Sequence, residues 1–252
     1  MTSRAFILAL ALPALTGMFV VAQPDAATAG NFRGVVELFT SQGCSSCPPA
    51  DAELGRLIES GEVLGLSYHV DYWNYLGWAD TLSNAASTAR QHGYARSLKR
   101  KNVYTPQAVI NGRDHANGAD GAAVDSLLSK LSAAGQGLTV GVEASLDDNG
   151  LNISIDDGQG EASIVIVYFN QATTVDIKKG ENAGHEITYK HSVREVETVG
   201  MWDGDAISLK LPPSVLSAHP GVGCAILLQV VSKDGTPGRI LGAAMIEANE
   251  YG

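Results

Sequence analysis

The sequence predicts an α/β domain followed by an all-β antiparallel sandwich domain. Strand-like and helix-like stretches alternate between residues 31 and 134, which predicts the α/β domain. Strand-like runs without a helical period follow residue 137 at a spacing of roughly ten residues, which is typical of a β-sandwich. We therefore expect a signal peptide over residues 1–29, the α/β domain over residues 30–135 and the sandwich over residues 136–252.

The amino terminus has the pattern of a secretory signal peptide. Arg4 supplies the positive flank, residues 5–21 are almost uninterrupted apolar sequence, and residues 27–29 (Ala-Thr-Ala) form a small-residue cleavage site. An uncleaved membrane anchor is the alternative, because an apolar stretch of about 17 residues is at the lower limit for spanning a bilayer. We expect a periplasmic or secreted protein that has no membrane contact after cleavage.

Charge narrows the range of partners. The 252-residue chain has a formal net charge of −10, and its hydrophobic content of 45% is normal for a globular protein. A negatively charged protein is poorly suited to nucleic acid or to an anionic membrane surface. We therefore expect neither nucleic acid nor membrane lipid as a partner.

Two cysteines follow the first predicted strand, at residues 35–39, and precede a predicted helix at residues 50–60. Cys44 and Cys47 stand at the C-x-x-C spacing of thioredoxin-type redox sites, where the start of the helix favours the thiolate. In an oxidising compartment the pair rests as a disulfide. A merely structural disulfide and a zinc half-site are the alternatives. Zinc needs four ligands, and Cys224 lies in a distant apolar run.

The elements after the cysteines have the order of a thioredoxin-like fold. We predict a strand at residues 63–70, a helix at 83–101, strands at 107–111 and 113–116 around an Asn111-Gly112 turn, and a helix at 120–134. Thr105-Pro106 occupies the position at which such folds carry a cis-proline facing the dithiol. An ordinary proline that begins a strand is the alternative. The first domain is therefore predicted to be thioredoxin-like, with Thr105 and Pro106 beside the cysteines.

Long stretches of the sequence carry a family resemblance. They are residues 37–51, 69–80 and 103–112, together with residues 180–182, 191–194 and 200–204 of the second half. These stretches resemble the secreted bacterial family known as domain of unknown function 1223. The resemblance implies a thioredoxin-like fold and secretion, and it implies no established reaction.

Glu37 is a candidate proton acceptor on the first strand, seven residues before Cys44. Thioredoxins place a buried acid on this strand, where it takes the proton of the second thiol during exchange. A solvent-facing carboxylate at the sheet edge is the alternative.

An aromatic segment follows the second predicted strand. Ligands of open α/β sheets bind beyond the carboxyl ends of the strands, so we expect a substrate groove here, next to the disulfide. The alternatives are that Trp73 and Trp78 cover the sheet edge or contact the β domain, and that His69 is a hydrogen-bonded structural residue. The substrate-binding candidates are His69, Asp71, Tyr72, Trp73, Trp78 and Gln107.

The sequence pattern of residues 187–199, in the second half, predicts a strand whose polar side chains mostly face solvent. His191, Arg194 and Glu195 lie in this run and match the family resemblance, which suggests a specific contact with the first domain.

The predicted function is thiol–disulfide exchange with protein or small-molecule thiols and disulfides, without a cofactor. Cys44 is the attacking sulfur, Cys47 resolves the mixed disulfide, and Thr105 and Pro106 present backbone to the substrate chain. A non-catalytic secreted binding protein with a structural disulfide is the first alternative. Capture of a soft metal such as copper(I) by the two thiolates, with His69 near them, is the second.

Overall fold

The computed structural model describes residues 32–147, 149–217 and 221–247, so the predicted signal peptide lies outside the described residues. Within these ranges, no helix combines the length and the apolar character that crossing a membrane requires. The elements of the first half are close to their predicted positions. They are β1 (Gly34–Thr40), α1 (Pro48–Glu59), β2 (Val63–His69), α2 (Ala85–Ser97), β3 (Gln107–Ile110), β4 (Asp114–Asn117) and α3 (Gly121–Ala133), with a 3-10 turn at Asn74–Leu76.

The second half is almost entirely β-structure. Its hairpin β7–β8 has the longest strands of the described chain, at 15 and 17 residues. The elements are β5 (Val142–Asp147), β6 (Gly150–Ile155), β7 (Ala162–Asp176), β8 (Glu186–Trp202), β9 (Ile207–Leu211), a short helix α4 (Ser214–Ser217), β10 (Gly223–Val231) and β11 (Pro237–Ile246).

One mixed eight-stranded sheet passes through both halves, in the order β11-β10-β7-β8-β2-β1-β3-β4. The predicted fold class, a thioredoxin-like α/β domain followed by a separate all-β antiparallel sandwich, is therefore wrong. The two halves meet where β2 runs parallel to β8, with Ser67 opposite Ser192. All seven residues of β2 are buried, so it needs a neighbour on each side. The sequence does not show that the polar strand β8 is that neighbour. The predicted boundary at residue 135 stays a prediction.

Three apolar clusters hold the layers together. In the central cluster, Tyr94 of α2 packs with Leu64 and Phe39 of the first half and with Phe169 and Leu227 of the second. On the other face of the sheet, α1 and α3 cover β1 and β3. The small sheet β5-β6-β9 packs over β7 and β10. Because the central cluster draws side chains from both halves, the two halves share one core.

The opposite ends of the large sheet approach each other at the β3–β4 turn. The Ile240 N–H on β11 donates to the carbonyl oxygen of Asn111 at 2.9 Å. Asn111 and Gly112 have φ of 50° and 61°, so the predicted hairpin turn is confirmed at these residues. Ile110 pairs with Asp114, so the loop has three residues and not the predicted two. A Cβ placed on Gly112 would lie 2.0 Å from the carbonyl oxygen of Gly238. This close approach of two backbones requires glycine at position 112.

We predict that Gly112→Ala destabilises the protein far more than Gly61→Ala. Both glycines have positive φ, which costs an alanine about 1–2 kcal/mol, but a Cβ on Gly61 would meet nothing within 4 Å. The added clash should bring the loss for Gly112→Ala to at least about 3 kcal/mol. Urea unfolding of the two variants measures this difference. Equal losses would contradict the close packing of the two ends of the sheet.

Candidate functional site

Cys44 and Cys47 form a disulfide in the turn between β1 and α1, with their Cα atoms 5.4 Å apart. The Cys47 N–H donates to the Cys44 carbonyl oxygen at 3.1 Å, and Cys47 is the N-cap residue of α1. Pro48 and Pro49 occupy the first positions of the helix. They cost no hydrogen bond there, because the first N–H groups of a helix have no acceptor within it. The helix therefore begins directly at the disulfide.

The disulfide is almost enclosed. Cys44 is 3% exposed and Cys47 is 0% exposed, so the first cysteine is the more accessible of the two. Ser45 and Ser46, between them, are exposed. The Ser46 hydroxyl lies 3.4 Å from the Cys44 sulfur. Solvent therefore reaches the pair from the side of the two serines.

Thr105, one of the residues predicted for the site, contacts the Cys44 sulfur, and two other predicted residues, Pro106 and Trp73, adjoin Thr105. The Thr105–Pro106 peptide bond is cis, and the Thr105 hydroxyl donates to Cys44 Sγ at 3.3 Å. The Trp73 indole N–H in turn donates to Thr105 Oγ1 at 2.8 Å. Trp73 therefore orients the threonine hydroxyl toward the sulfur.

Asn182 holds the cysteine turn from the other half of the chain, and sequence reasoning did not select it. Its side-chain amide donates to the carbonyl oxygens of Gln42 at 2.9 Å and of Cys44 at 3.0 Å. It lies in the loop between β7 and β8, where Gly180 packs closely against Trp78. The sequence feature that could have identified Asn182 is the resemblance of residues 180–182 to the family. The tip of the β7–β8 hairpin thus fixes the backbone of the cysteine turn.

Trp78 and His69 also support this turn. The Trp78 indole N–H donates to Gln42 Oε1 at 2.8 Å. Asp80 Oδ2 accepts the Gln42 backbone N–H at 2.8 Å and lies 2.8 Å from His69 Nδ1. His69 is fully buried, as expected for a hydrogen-bonded structural residue. Both side chains act on the residue two positions before Cys44.

The remaining substrate-binding candidates are connected to α2. The Thr88 hydroxyl donates to Asp71 Oδ1 at 2.7 Å. Gln91 accepts from the Tyr72 hydroxyl at 3.1 Å and donates to Gln107 Oε1 at 2.9 Å. Asp71 and Tyr72 are half-buried and Gln107 is buried. These three candidates therefore hydrogen-bond to side chains of α2, and the Tyr72 ring also lies against that of Trp73, with centroids 5.9 Å apart.

Glu37 is buried and forms an ion pair, with its Oε1 2.7 Å from Arg90 Nε. The Tyr94 hydroxyl donates to its other oxygen, and Arg90 also donates to Gln229 on β10 at 2.8 Å. The solvent-facing alternative is therefore wrong. Both of these partners of Glu37 lie on α2, and Arg90 links this pair to β10.

Asp51 is a second buried acid, and sequence reasoning missed it. Neither of its carboxylate oxygens has a hydrogen-bond partner among the described residues. Burial raises the pKa of Asp51 to about 7, while His69 and the Thr40 hydroxyl oppose this rise. The sequence feature that could have identified Asp51 is its position four residues after Cys47 on a helix, because the side chains of residues i and i+4 share a face.

His191 contacts the first half, whereas its two neighbours face solvent. His191 Nδ1 lies 2.9 Å from the carbonyl oxygen of Gly65 on β2, and burial lowers its pKa. Arg194 and Glu195 are exposed and line a cleft beside α2. The suggested contact with the first half therefore involves the histidine.

Within the described ranges, no group of three or more His, Cys, Asp or Glu side chains is arranged to hold a metal ion.

Comparisons with known proteins give a family and two similar structures. A family model described as "Protein of unknown function (DUF1223)" matches residues 35–229. The crystal structure of protein AGR_C_4864 from Agrobacterium tumefaciens is 49% identical, with a TM-score of 0.81, over 88% of this chain and 96% of that one. HBP35 of Porphyromonas gingivalis is 13% identical, with a TM-score of 0.56, over 86% and 75%, which shows a likeness of fold alone. No curated protein matches the chain.

We predict that Glu37 and Arg90 stabilise the fold as a pair. Glu37→Leu leaves a buried guanidinium without its counter-charge, and Arg90→Met leaves a buried carboxylate. Each change should therefore cost about 3–5 kcal/mol. The double variant Glu37→Leu/Arg90→Met should lose much less than the sum of the two, as urea unfolding would measure. Strictly additive losses would mean that the pair is not coupled.

We predict that Asn182→Ala loosens the cysteine turn. Two buried carbonyl oxygens lose their donor, so the free energy of unfolding should fall by about 1–3 kcal/mol, and a small thiol reagent should reduce the disulfide faster. Glu181→Ala, at the exposed neighbouring position, is the control and should remain within about 0.5 kcal/mol of the wild type. Reduction at the same rate in both variants would show that Asn182 does not protect the sulfurs.

Proposed function

The chain belongs to the DUF1223 family, and from the arrangement around Cys44 we propose that it exchanges electrons with protein or small-molecule thiols and disulfides. The observation that carries this proposal is the contact of the Thr105 hydroxyl with the Cys44 sulfur, beside the cis Thr105–Pro106 bond. A purely structural disulfide needs no polar group directed at one of its sulfurs. A sulfur that becomes a leaving group benefits from such a donor, because the donor stabilises its developing negative charge.

The reaction begins when a substrate thiolate attacks Cys44 Sγ, and the bond between Cys44 and Cys47 breaks. Cys47 leaves as a thiolate at the N-terminus of α1, whose dipole favours negative charge. A second substrate thiolate then attacks the substrate sulfur of the mixed disulfide and releases Cys44. The substrate dithiol loses two electrons and becomes a disulfide, and the cysteine pair gains them. The same steps in reverse reduce a substrate disulfide.

We propose that this reaction takes place in the periplasm or outside the cell. The signal-peptide pattern of residues 1–29 supports export, and a disulfide pair suits an oxidising compartment.

A structural disulfide in a non-catalytic binding protein is the second candidate function, and the burial of both sulfurs favours it. The two candidates differ in reduction potential. Structural bridges lie below about −300 mV, whereas exchanging pairs lie higher. Equilibration of the protein with glutathione or dithiothreitol buffers measures this value.

We predict that the wild type accelerates the oxidation of a peptide dithiol by glutathione disulfide and that Cys44→Ser and Cys47→Ser reduce the rate to the uncatalysed level. Cys47→Ser keeps the Cys44 thiolate, so it should attack the oxidised, disulfide form of the peptide and accumulate a mixed disulfide, while Cys44→Ser should not. Cys224→Ala, at a buried position on β10, is the control and should retain the wild-type rate. Equal rates for the wild type and Cys44→Ser, with no mixed disulfide in Cys47→Ser, would overturn the proposed function.

A further inference from the structure

We propose that Asp51 exchanges a proton with Cys47 when the disulfide opens and closes, within a buried polar cluster formed by Thr40, Asp51, His69 and Tyr189. This inference rests on the proposed function and adds the group that carries the proton. The cluster is buried and draws on both halves of the chain.

The position of Asp51 on α1 brings it to Cys47. Helical geometry already includes Cys47, whose φ and ψ are −82° and −36°. The Asp51 N–H donates to the Cys47 carbonyl oxygen at 3.1 Å, which is the i to i+4 bond of an α-helix. Side chains four residues apart lie on one helix face, and both of these are buried. The two side chains therefore share one buried face of the first turn of α1, and Cys47 is the cysteine that leaves first.

The cluster collects buried polar atoms that have no hydrogen-bond partner among the described residues. They are Thr40 Oγ1, both carboxylate oxygens of Asp51, His69 Nε2 and the Tyr189 hydroxyl. Thr40 and His69 are opposite each other in the β1–β2 register, and the rings of His69 and Tyr189 have their centroids 4.7 Å apart. Buried polar groups are almost always satisfied, so a group of exceptions in one place indicates a site that exchanges protons or holds water.

Burial and the neighbouring titratable groups determine the pKa of Asp51. The titratable groups that face it are His69 from β2, Asp80 from the loop after β2 and Tyr189 from β8, besides Cys47 on its own helix. Burial and Asp80 raise the pKa of Asp51 to about 7, and His69 and Thr40 oppose them. Burial, followed by Asp51 and Asp80, raises the pKa of Tyr189, so its hydroxyl keeps its proton. Asp51 can therefore gain or lose a proton near neutral pH.

The proton that Cys47 needs during the exchange comes from Asp51 and returns to Asp51. When the disulfide opens, Cys47 leaves as a thiolate and takes the proton of the Asp51 carboxylic acid, which gives a thiol and a carboxylate. When the pair closes, the carboxylate takes the proton back as the Cys47 sulfur attacks the mixed disulfide at Cys44. The sulfur of the substrate is then the leaving group. Opening by a substrate thiolate moves electrons from the substrate to the cysteine pair, and closing returns them to the substrate sulfur that leaves.

The first arm of the test uses the oxidised protein and does not depend on activity. Carboxyl carbon NMR, with Asp51→Asn to assign the signal, should show Asp51 titrating within about one unit of pH 7. Titration near pH 4, the ordinary range of an aspartate, would overturn the inference.

The second arm measures how fast Cys47 resolves a mixed disulfide formed at Cys44, from pH 5 to pH 9. Asp51 accepts a proton only as a carboxylate, so the wild-type rate should rise through an inflection near pH 7. Asp51→Asn should lose this inflection and be at least about tenfold slower at pH 7 to 8. Asp125→Asn, at a partly exposed aspartate on α3, is the control and should keep the wild-type profile. Circular dichroism and urea unfolding check that each variant is folded.

The outcomes separate the two proposals. A wild-type profile in folded Asp51→Asn overturns the proton-exchange inference and leaves the proposed function standing. A wild type that forms and resolves no mixed disulfide overturns the proposed function, and this inference with it.

Discussion

The pairing of β2 with β8 is the constraint on which the rest of this structure depends. It joins Ser67 to Ser192 and so makes one sheet from two halves of the chain. The hairpin β7–β8 then brings Asn182 to the cysteine turn and Tyr189 to His69. Without this pairing, the cysteine turn would lose its donor from the second half and Asp51 would lose one wall of its enclosure. The site is therefore a product of the whole chain, although both cysteines lie near its start.

Sequence reasoning recovered what is encoded locally. The cysteine turn, the Thr105–Pro106 pair and the Asn111-Gly112 hairpin each depend on a few adjacent residues whose backbone preferences are strong. The prediction of the fold class was wrong because the fold class depends on which strand pairs with β2. A strand with a polar surface can close a sheet edge or stand in solvent, and its composition is the same in both cases. Asn182 was missed for the same reason, since its function comes from a contact 138 residues away along the chain.

Two buried acids, Glu37 and Asp51, show how surroundings decide what a carboxyl group does. Glu37 has a guanidinium and a hydroxyl as partners, so its charge is compensated and it fastens α2 to β1. Asp51 is buried, and His69 and the Thr40 hydroxyl offset only part of the cost of burial, so its charged form is costly and its proton is held until about pH 7. Sequence position favoured Glu37 for the chemistry because it lies on the strand before the cysteines. The hydrogen-bond partners favour Asp51.

The enclosure of the sulfurs does not by itself prevent exchange, because individual hydrogen bonds hold Thr105 and Asn182 against Cys44. Thr105 contacts the sulfur through one hydroxyl, and Asn182 holds the Cys44 carbonyl oxygen through one amide. Each such bond contributes about 1 kcal/mol net, whereas global unfolding of a domain requires about 5–15 kcal/mol. A local opening of this cover is therefore far less costly than unfolding. Because Cys47 lies deeper and is fixed at the start of α1, the opening exposes one sulfur and leaves the other beside Asp51. An incoming thiol then reaches Cys44 first. The leaving sulfur of Cys47 stays in the interior, where Asp51 can supply its proton.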